Sequence, residues 1–380
     1  MKYRLGDLCN IVSGGTPSRS RGDYWESGTI PWVKISDIRG KHISKTEEHI
    51  TKAGLDSSSA KMLTKGTIVY SIFATLGEVG ILDIEACTNQ AIAGITIKNP
   101  TDLLTDYLFY YLLSKKQFVK EAGRGVAQNN INMSILRDFV IPLPEIKTQK
   151  HIVDVLNEAE SLIERRKSEM RNLDTLIKAR FVEMFDSFDL AKQKTGWVPI
   201  SQVGTVVGGS TPKTTVTEYW NGDYRWISPA ELKHDSGVIF DSIKKITRAG
   251  IDSCSLQELP IGTVILSSRA PIGKVAIAGT TMYCNQGFKN IICGNRVIPR
   301  YLYSLLLFNT EYLNSLGRGA TFKELSKSIV ESIRIPLPEI KLQIQFEEFC
   351  KQIDKSKVVV QKALDKAQQL FDSLMQQYFG

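Results

Sequence analysis

Two Glu-x-Lys triplets come closest to hydrolytic chemistry in this 380-residue chain. They are Glu145-Ile146-Lys147 and Glu339-Ile340-Lys341. A carboxylate pair with a nearby lysine can hold a metal ion over a phosphate, as nucleases require. Both triplets, however, stand at the start of a long helical pattern, where an acidic residue favours the helix dipole. We therefore predict a structural role for them and keep a Mg²⁺-dependent nuclease as an alternative function.

Other signatures of catalysis are incomplete. A DNA methyltransferase needs an Asn/Asp-Pro-Pro-aromatic loop, and Asn99-Pro100-Thr101 lacks its second half. Gly273-Lys274 is not part of a phosphate-binding loop, because Val275 follows where Ser or Thr belongs. The histidines show no ligand spacing and the cysteines form no CxxC pair. We predict a non-catalytic chain with buried, reduced thiols and no metal or cofactor of its own.

The dominant feature is an internal repeat. Gly14-Gly15-Thr16-Pro17 returns as Gly208-Gly209-Ser210-Thr211-Pro212, and Ile141 to Lys147 returns as Ile335 to Lys341. The offset stays between 194 and 196 residues, so the order is collinear and the chain is a tandem duplication. A duplicated chain can form a pseudo-twofold object, and twofold objects match duplex DNA. The formal charge of +8 also favours an anionic partner.

The repeat offers its own comparison of candidate DNA-contacting residues. Positions kept in both copies should hold the fold or touch phosphate, which carries no sequence information. The paired tryptophans are expected in the core, and Asn89 and Asn285 are expected to satisfy backbone turns. Arg124 and Arg318, each between glycines, could approach a phosphate or lie in a solvated turn.

Positions that differ between the copies are candidates for base reading. Gln pairs with adenine and Arg with guanine, so Gln128 and Arg269 are the first choices. Drift of an unused surface would produce the same differences, so that alternative stays open. The complete set of predicted DNA contacts is Arg19, Lys34, Ser36, Thr75, Arg124, Gln128, Asn129, Lys213, Arg269, Arg318 and Lys323.

Each repeat has a globular part followed by a long helix. Residues 1–143 and 197–337 mix short apolar runs with glycine turns, which predicts α/β domains with mixed sheets. Residues 144–196 and 338–380 carry apolar side chains at alternating steps of three and four, from Ile152 to Met184 and from Phe346 to Leu374. This spacing is typical of a coiled-coil seam, and each helix should run about 40 residues after an opening proline. Packed back on each other, the helices would form an antiparallel coiled coil. The fold class is therefore α+β, with two tandem-repeated domains joined by two long helices around a pseudo-twofold axis.

The ordered motifs resemble the specificity subunit of type I restriction-modification systems. The residues that carry the resemblance are Gly14 to Ser18, Ile30-Pro31-Trp32-Val33, Ser36-Asp37-Ile38, Cys87-Thr88-Asn89-Gln90-Ala91 and the Ile-Pro-Leu-Pro-Glu openings of both helices. One departure is visible: Trp197 opens the second repeat, and the first repeat begins at Tyr3-Arg4-Leu5 without a tryptophan. This affects the domain edges only.

The resemblance implies a role and partners. Each domain would be a target-recognition domain that reads one half of a bipartite site in double-stranded DNA. The helices would set the spacing and dock two modification (methyltransferase) subunits. Two restriction subunits would join where the system has them. S-adenosylmethionine, ATP and Mg²⁺ would then belong to the partner subunits. A coiled-coil scaffold without DNA reading is a further alternative.

No signal peptide and no apolar run long enough for a membrane span is present, so we expect a cytoplasmic protein.

Overall fold

The computed structural model describes residues 2–124, 131–186, 188–233, 235–269, 271–319 and 323–380, without the side chains of residues 122–124 and 235. The chain divides into two compact units. Unit 1 comprises Met1–Lys167 and Lys362–Gly380, and unit 2 comprises Ser168–Gln361. Each unit therefore contains one globular part together with segments of both long helices.

The described residues of the first repeat form ten strands and end in a long helix that continues from unit 1 into unit 2. Its elements are β1 Lys2–Arg4, α1 Leu5–Leu8, β2 Cys9–Ser13, β3 Ile30–Val33, β4 His42–Ile43, β5 Glu48–Ile50, α2 Lys52–Asp56, β6 Ile68–Ser71, β7 Val79–Leu82, β8 Cys87–Thr88, β9 Ile92–Ile97, α3 Thr105–Ser114, α4 Lys116–Arg124, α5 Met133–Arg137, β10 Val140–Pro142 and α6 Ile146–Phe185.

The second repeat has the same order of elements, except that a 3-10 turn, Ile200–Gln202, stands in the place of α1. They are β11 Val198–Pro199, β12 Gly204–Gly208, β13 Trp220–Ile227, β14 Asp235–Ile239, β15 Lys244–Ile246, α7 Arg248–Ser253, β16 Val264–Leu266, β17 Val275–Ala278, β18 Tyr283–Cys284, β19 Lys289–Cys293, α8 Pro299–Phe308, α9 Thr310–Leu316, α10 Lys327–Ser332, β20 Arg334–Ile335 and α11 Ile340–Phe379.

The sheet topology repeats strand for strand. The five-stranded sheet has the order β2-β9-β6-β7-β4 in unit 1 and β12-β19-β16-β17-β14 in unit 2. The last strand in each order, β4 or β14, runs parallel to its neighbour, and the other pairs are antiparallel. Both sheets are therefore mixed, as predicted. Gly66 and Gly262 adopt φ of 86° and 85° just before the central strands, a left-handed turn that glycine makes without steric cost. The burial of these β-branched strands makes them the centre of each core.

A buried glutamine ties the start of each long helix to the globular part. The side-chain oxygen of Gln149 accepts from Leu104 N at 3.0 Å, and its amide donates to the carbonyls of Asp102 and Pro144. In unit 2, Gln343 makes the same three bonds with Ile298, Arg296 and Pro338. Both glutamine side chains are fully buried, and these bonds satisfy backbone groups that would otherwise be unpaired.

The proline position differs from the prediction. Each long helix begins at an isoleucine, Ile146 or Ile340, and spans 40 residues. The preceding glutamates cap the helices, because their carbonyls accept the first helical bonds, from Gln149 N at 3.0 Å and Gln343 N at 3.3 Å. Pro144 and Pro338 lie outside the first turn. They act as a break between β10 or β20 and the helix, where the missing N–H removes no helical bond.

The heptad seam of α6 is confirmed. Its predicted positions from Ile152 to Met184 are buried or half-buried in every case. In α11 the seam departs from the prediction at Leu370, which is 49% exposed. The next residue, Phe371, packs on Tyr110 with ring centroids 6.3 Å apart. Ser356 is likewise exposed, and its neighbour Lys357 turns inward. Phe371 and Lys357 make the inward contacts in place of Leu370 and Ser356, because their longer side chains reach an aromatic and an acidic partner.

The helices pair in antiparallel fashion within unit 2. Phe181 of α6 packs on Phe346 of α11 with ring centroids 5.2 Å apart. Seven residues earlier in α6, Asp174 forms an ion pair with Lys357, which lies later in α11. From the first contact to the second, the residue number decreases in α6 and increases in α11. The two helices therefore run in opposite directions. In unit 1, Met375 and Phe379 of α11 share one core with Ile152 and Leu156 of α6.

Candidate nucleic-acid interface

The eight predicted contact residues whose side chains the structure describes are exposed or half-buried. They are Arg19, Lys34, Ser36, Thr75, Lys213, Arg269, Arg318 and Lys323. Arg124 ends α4, but its side chain is outside the described part, as are residues Gln128 and Asn129. These three predictions therefore have no structural account here.

Two basic side chains of unit 2 contact one acid, Glu324, and two further basic residues lie next to Glu324 through the backbone. Arg269 Nε lies 3.0 Å from one carboxylate oxygen and Lys289 Nζ lies 3.3 Å from the other. Arg318 is joined to Glu324 by two backbone hydrogen bonds of 3.1 and 2.9 Å, and Lys323 precedes Glu324 in the chain. We call Arg269, Lys289, Arg318, Lys323 and Glu324 the Glu324 cluster. It brings together three of the residues predicted in the second repeat.

The Glu324 carboxylate holds Arg269 in place without using all its donors. Burial pushes the pKa of Glu324 up, but hydrogen bonds from Arg269 and Lys289 outweigh it, so the pKa lies below its ordinary value. Glu324 is therefore ionised at neutral pH. The contact uses the Nε of Arg269, and a guanidinium has two further nitrogens that can donate to a base edge. Half-exposed ion pairs stabilise little, about 0–1 kcal/mol, so a phosphate or base can compete for this arginine.

Lys289 is a cluster member that the sequence analysis missed. It begins β19, the strand whose apolar residues Ile291 and Ile292 follow it, and its side chain is only 15% exposed. Its ammonium also reaches Ser268 Oγ at 3.5 Å. A lysine next to the apolar residues of a buried strand indicates that an acidic partner lies nearby, because an ammonium is buried only with a partner. The distant Glu324 supplies that partner.

Unit 1 has the same backbone with an apolar surface at this place. Leu325 N donates to Ser268 O at 2.9 Å, and in unit 1 Ile131 N donates to Ile72 O at 2.9 Å. The next residue is Arg269 in unit 2 and Phe73, 49% exposed, in unit 1. Lys289 is likewise replaced by the buried Ala93, which pairs with the β6 strand. The two repeats thus present opposite chemistry on one shared frame.

The tryptophan pairs belong mainly to the fold, as predicted. Trp25 and Trp32 meet edge to face with centroids 5.0 Å apart, and Trp220 and Trp226 do so at 5.1 Å. Trp32 and Trp226 are 2% and 4% exposed. Their indole N–H groups donate to backbone carbonyls at 2.9 and 3.1 Å, which satisfies the buried donor.

Two predicted cations of unit 1 share one acid beside the tryptophans. Arg19 stacks over Trp25 at 3.7 Å and pairs with Glu48 at 2.6 Å. Lys34 pairs with Glu48 at 2.8 Å and with Glu47 at 3.1 Å. Hydrogen bonds from Lys34 and Arg19 hold the pKa of Glu48 below its ordinary value against the opposing effect of burial. These acids reduce the net positive charge that Arg19 and Lys34 offer to a phosphate.

Unit 2 carries the opposite charge at the matching place. Glu48 lies across from Trp32 in the sheet, and Lys244 lies across from Trp226. The Lys244 ammonium sits 5.6 Å from the centre of the Trp220 ring. The carbonyl of Lys213 accepts the Trp220 N–H at 3.3 Å, so the backbone of this predicted residue supports the pair. Lys244 is a second cation that sequence reasoning missed.

Ser36, Thr75 and the paired asparagines take part in hydrogen bonds with the local backbone or with nearby side chains. The carbonyl of Ser36 accepts from Arg39 Nε at 2.9 Å, and the carbonyl of Thr75 accepts from the Ser71 hydroxyl. Asn89 and Asn285 accept backbone N–H bonds of 3.1 and 2.8 Å from residues two positions on. Their expected role in turns is therefore confirmed.

Comparison with known proteins decides the family. The model of the type I restriction modification DNA specificity domain matches residues 1–171 and again residues 194–367. The chain belongs to this DNA specificity family. The two matches coincide with the two repeats. Because the family is one of DNA specificity, sequence recognition replaces the nuclease alternative, and Glu145 and Glu339 remain exposed helix caps. Among the described residues, no group of three or more His, Cys, Asp or Glu could hold a metal ion.

Curated relatives carry the same family name. The chain is 41% identical over 168 residues to the type I restriction enzyme MjaIX specificity subunit of Methanocaldococcus jannaschii, which covers 43% of this chain and 39% of that one. It is 25% identical to the putative MjaX specificity subunit of the same organism, over 88% of this chain and 77% of that one. It is 26% identical to the EcoR124I/EcoR124II specificity subunit of Escherichia coli, over 42% and 40%. The chain thus spans about two fifths of the length of two of these relatives.

Solved structures share the fold. A chain from a structure concerned with complex assembly and conformational transition of the type I system aligns over 100% of this chain and 97% of that one, with a TM-score of 0.59 at 18% identity. The S subunit of a type I system from M. genitalium aligns over 100% and 96%, with a TM-score of 0.52 at 16% identity. Within the described part of the chain, no helix has the length and apolar character of a membrane span.

Proposed function

We propose that this chain is the DNA-sequence-recognition subunit of a type I restriction-modification enzyme. Each repeat would read one half of a bipartite target in duplex DNA, and the methyl transfer would take place on partner subunits. The observation that carries the proposal is the pair of equivalent sites with one backbone and different exposed chemistry, Phe73 in unit 1 and Arg269 in unit 2. Two readers of different half-sites require this combination.

The proposal divides the chain by role. Residues 1–143 and 197–337 would be the two target-recognition domains. Residues 144–196 and 338–380 would form the helical regions that set the spacing between half-sites and dock two modification subunits. S-adenosylmethionine, ATP and Mg²⁺ would be bound by those partners and by restriction subunits where the system includes them.

The Glu324 cluster supports base reading by the second domain. Arg269 is oriented by Glu324 and keeps two nitrogens for a bidentate contact, the geometry that selects guanine in the major groove. Arg318, which has the counterpart Arg124 in the first repeat, is better suited to phosphate because it is common to both frames.

A domain exchange tests the proposal. Residues 1–143 are replaced by the corresponding part of a homologue with a known target, and the methylated sites of cells carrying the hybrid are sequenced. One half-site should change and the other should stay. A change in both halves, or an unchanged pair, would contradict the assignment of one half to each repeat.

A binding experiment separates recognition from a scaffold role. The chain is assembled with its modification subunits and mixed with its methylated target or with random duplex in a gel-shift assay. A scaffold without DNA reading would bind both duplexes equally. The proposed function requires preference for the target.

A further inference from the structure

Unit 1 has an open groove of about 750 Å³ beside the end of α11. Its floor is formed by Phe371, Met375 and Phe379 of α11, and its rim by Phe118 of α4 and Val140 of β10. Phe118 is 60% exposed and Val140 is 48% exposed. Large apolar side chains in a concave site are typical of a surface that a partner covers.

In unit 2 the chain itself occupies the apolar part of the equivalent groove, and an open space of about 1100 Å³ remains beside Asp189, Asn309 and Tyr312. After α6, Phe188 packs edge to face on Phe181 and Phe308, with centroid distances of 5.8 and 6.5 Å. Leu190 is completely buried in the same core. The segment Phe188-Asp189-Leu190 therefore lies as an apolar plug across the end of α8.

An amide clamp fixes this plug. Asn309 Nδ2 donates to Phe188 O at 2.8 Å, and Asn309 Oδ1 accepts from Leu190 N at 2.8 Å. The side chain of Asn309 is 6% exposed. Two bonds to the backbone on either side of Asp189 position the segment independently of its side chains.

The two grooves are the same site in the two repeats. Tyr107 contacts Phe379 in unit 1 as Tyr301 contacts Phe185 in unit 2, with centroid distances of 5.2 and 4.8 Å. From this match, Lys115 takes the place of Asn309, and Phe118 takes that of Tyr312. Among the described residues of unit 1, no segment crosses the groove as Phe188 to Leu190 does in unit 2.

We infer that the unit 1 groove is a docking site for an extended segment of a partner protein with an aromatic, an acidic and an aliphatic residue in succession. The aromatic and aliphatic residues would fill the places that Phe188 and Leu190 fill in unit 2. The inference does not depend on DNA reading.

The acidic residue follows from the change of Asn309 to Lys115. Lys115 Nζ donates to Phe379 O at 2.9 Å and lies 5.3 Å from the centre of the Tyr111 ring. An ammonium has no acceptor, so it cannot repeat the bond to a backbone N–H, but it attracts a carboxylate. Lys116 and Lys120 also line the groove, although Lys116 is paired with Glu78 at 2.7 Å.

Two acids line the groove and are accounted for. Asp138 pairs with Arg4 at 3.3 Å, and Asp372 accepts from Gln368 at 2.9 Å. Burial and the charge of Lys2 lower the pKa of Lys115. A carboxylate placed beside this ammonium would offset both effects, which favours an acidic partner over a neutral one.

The test uses the full chain and a fluorescent peptide with the sequence of residues 185–193, acetylated and amidated. A second peptide carries Asn in place of Asp189, and a third carries Ala in place of Phe188 and Leu190. Fluorescence anisotropy should show saturable binding of the first peptide and none of the third. The first should bind about two- to fivefold more tightly than the second, as expected for a partly exposed ion pair.

Variants of the chain locate the site. Phe118→Ala should weaken binding about fivefold or more, and the matched change in unit 2, Tyr312→Ala, should leave it unaltered. Lys115→Asn should remove the preference for the acidic peptide while binding persists. Thermal melts establish that each variant is folded, and Phe118 is exposed enough for its loss to spare the core.

Three results would overturn the inference. These are no saturable binding of the first peptide, equal loss on Phe118→Ala and Tyr312→Ala, and a preference for the acidic peptide that survives Lys115→Asn. Because no DNA is present, failure here would leave the proposed recognition function untouched.

Discussion

Tyr107 packs its ring on Phe379 with centroids 5.2 Å apart. Its hydroxyl donates to the carbonyl of Pro142 at 2.8 Å. The contact holds the last turn of the second long helix against the first globular part, and Tyr111 adds a second ring at 6.2 Å. Unit 1 therefore completes its core with residues from both ends of the sequence.

Phe379→Ala should destabilise unit 1 by about 3–5 kcal/mol, the usual range for removing a buried aromatic ring from a core. Phe379 is only 3% exposed. The matched control is Leu370→Ala on the same helix, which should change stability by about 0.5 kcal/mol or less because that side chain is largely exposed. Urea denaturation followed by circular dichroism measures both. Equal effects would show that α11 does not end in the core of unit 1.

Gln343→Ala should cost about 1–3 kcal/mol, because it leaves buried backbone groups of Ile298, Arg296 and Pro338 unpaired. The control is Gln345→Ala. Gln345 is exposed and lies two residues further along the same helix, so its loss should be nearly neutral for stability. Hydrogen exchange of the Ile298 amide provides a direct readout. An unchanged exchange rate of the Ile298 amide would contradict the role of Gln343 in holding the start of α11 against the globular part.

Arg269→Ala should cost about 1–3 kcal/mol against the preferred base pair and relax selectivity at one position of the second half-site, which we expect to be a guanine. Arg318→Ala should weaken binding to all sequences and reduce the salt slope by about one. Competition binding of the assembled complex against single-base variants, at two salt concentrations, distinguishes the two. A uniform loss with Arg269→Ala would remove the base-reading role from the Glu324 cluster.

Deletion of seven residues from each long helix, around Met170 and Val360, should shorten each helix by about 10 Å. That length corresponds to about three base pairs. The half-sites should persist with a shorter spacer, or activity should be lost. Deletion from one helix only is the control, since it displaces pairs such as Asp174–Lys357. Sequencing of methylated sites reads the spacing, and an active double deletion with the original spacer would exclude the helices as its determinant.

The buried thiols should react slowly. Burial raises the pKa of Cys87 to about 11 and that of Cys284 to about 12. Because the folded-state pKa exceeds the ordinary value of 9.0, the stabilisation of the thiol form is complete below pH 9 and is lost as pH rises toward 12. At pH 8, a thiol reagent with mass-spectrometric readout should modify the half-buried Cys254 first. Rapid labelling of Cys284 in the native chain would contradict its burial.

Much of the architecture followed from the sequence alone. The repeat, the mixed sheets, the 40-residue helices and the family were predictable because periodic burial and collinear motifs are local patterns that need no knowledge of distant contacts. Even the seam of α6 was placed correctly, since a helix fixes which of its residues share a face. At Leu370 the prediction was wrong, because the choice of seam residue depended on Tyr110 across the interface.

The charges at the candidate site were decided only by tertiary structure. Sequence comparison selected Arg269 and Lys323, but it could not find Lys289 or show that Glu324 would hold Arg269 in place. It also selected Arg19 and Lys34 without showing that both share Glu48. Ion pairs of this kind join residues far apart in the chain, and the Coulomb energy depends on their separation in space. The sequence determines which charges exist, and the fold determines which of them remain available to DNA.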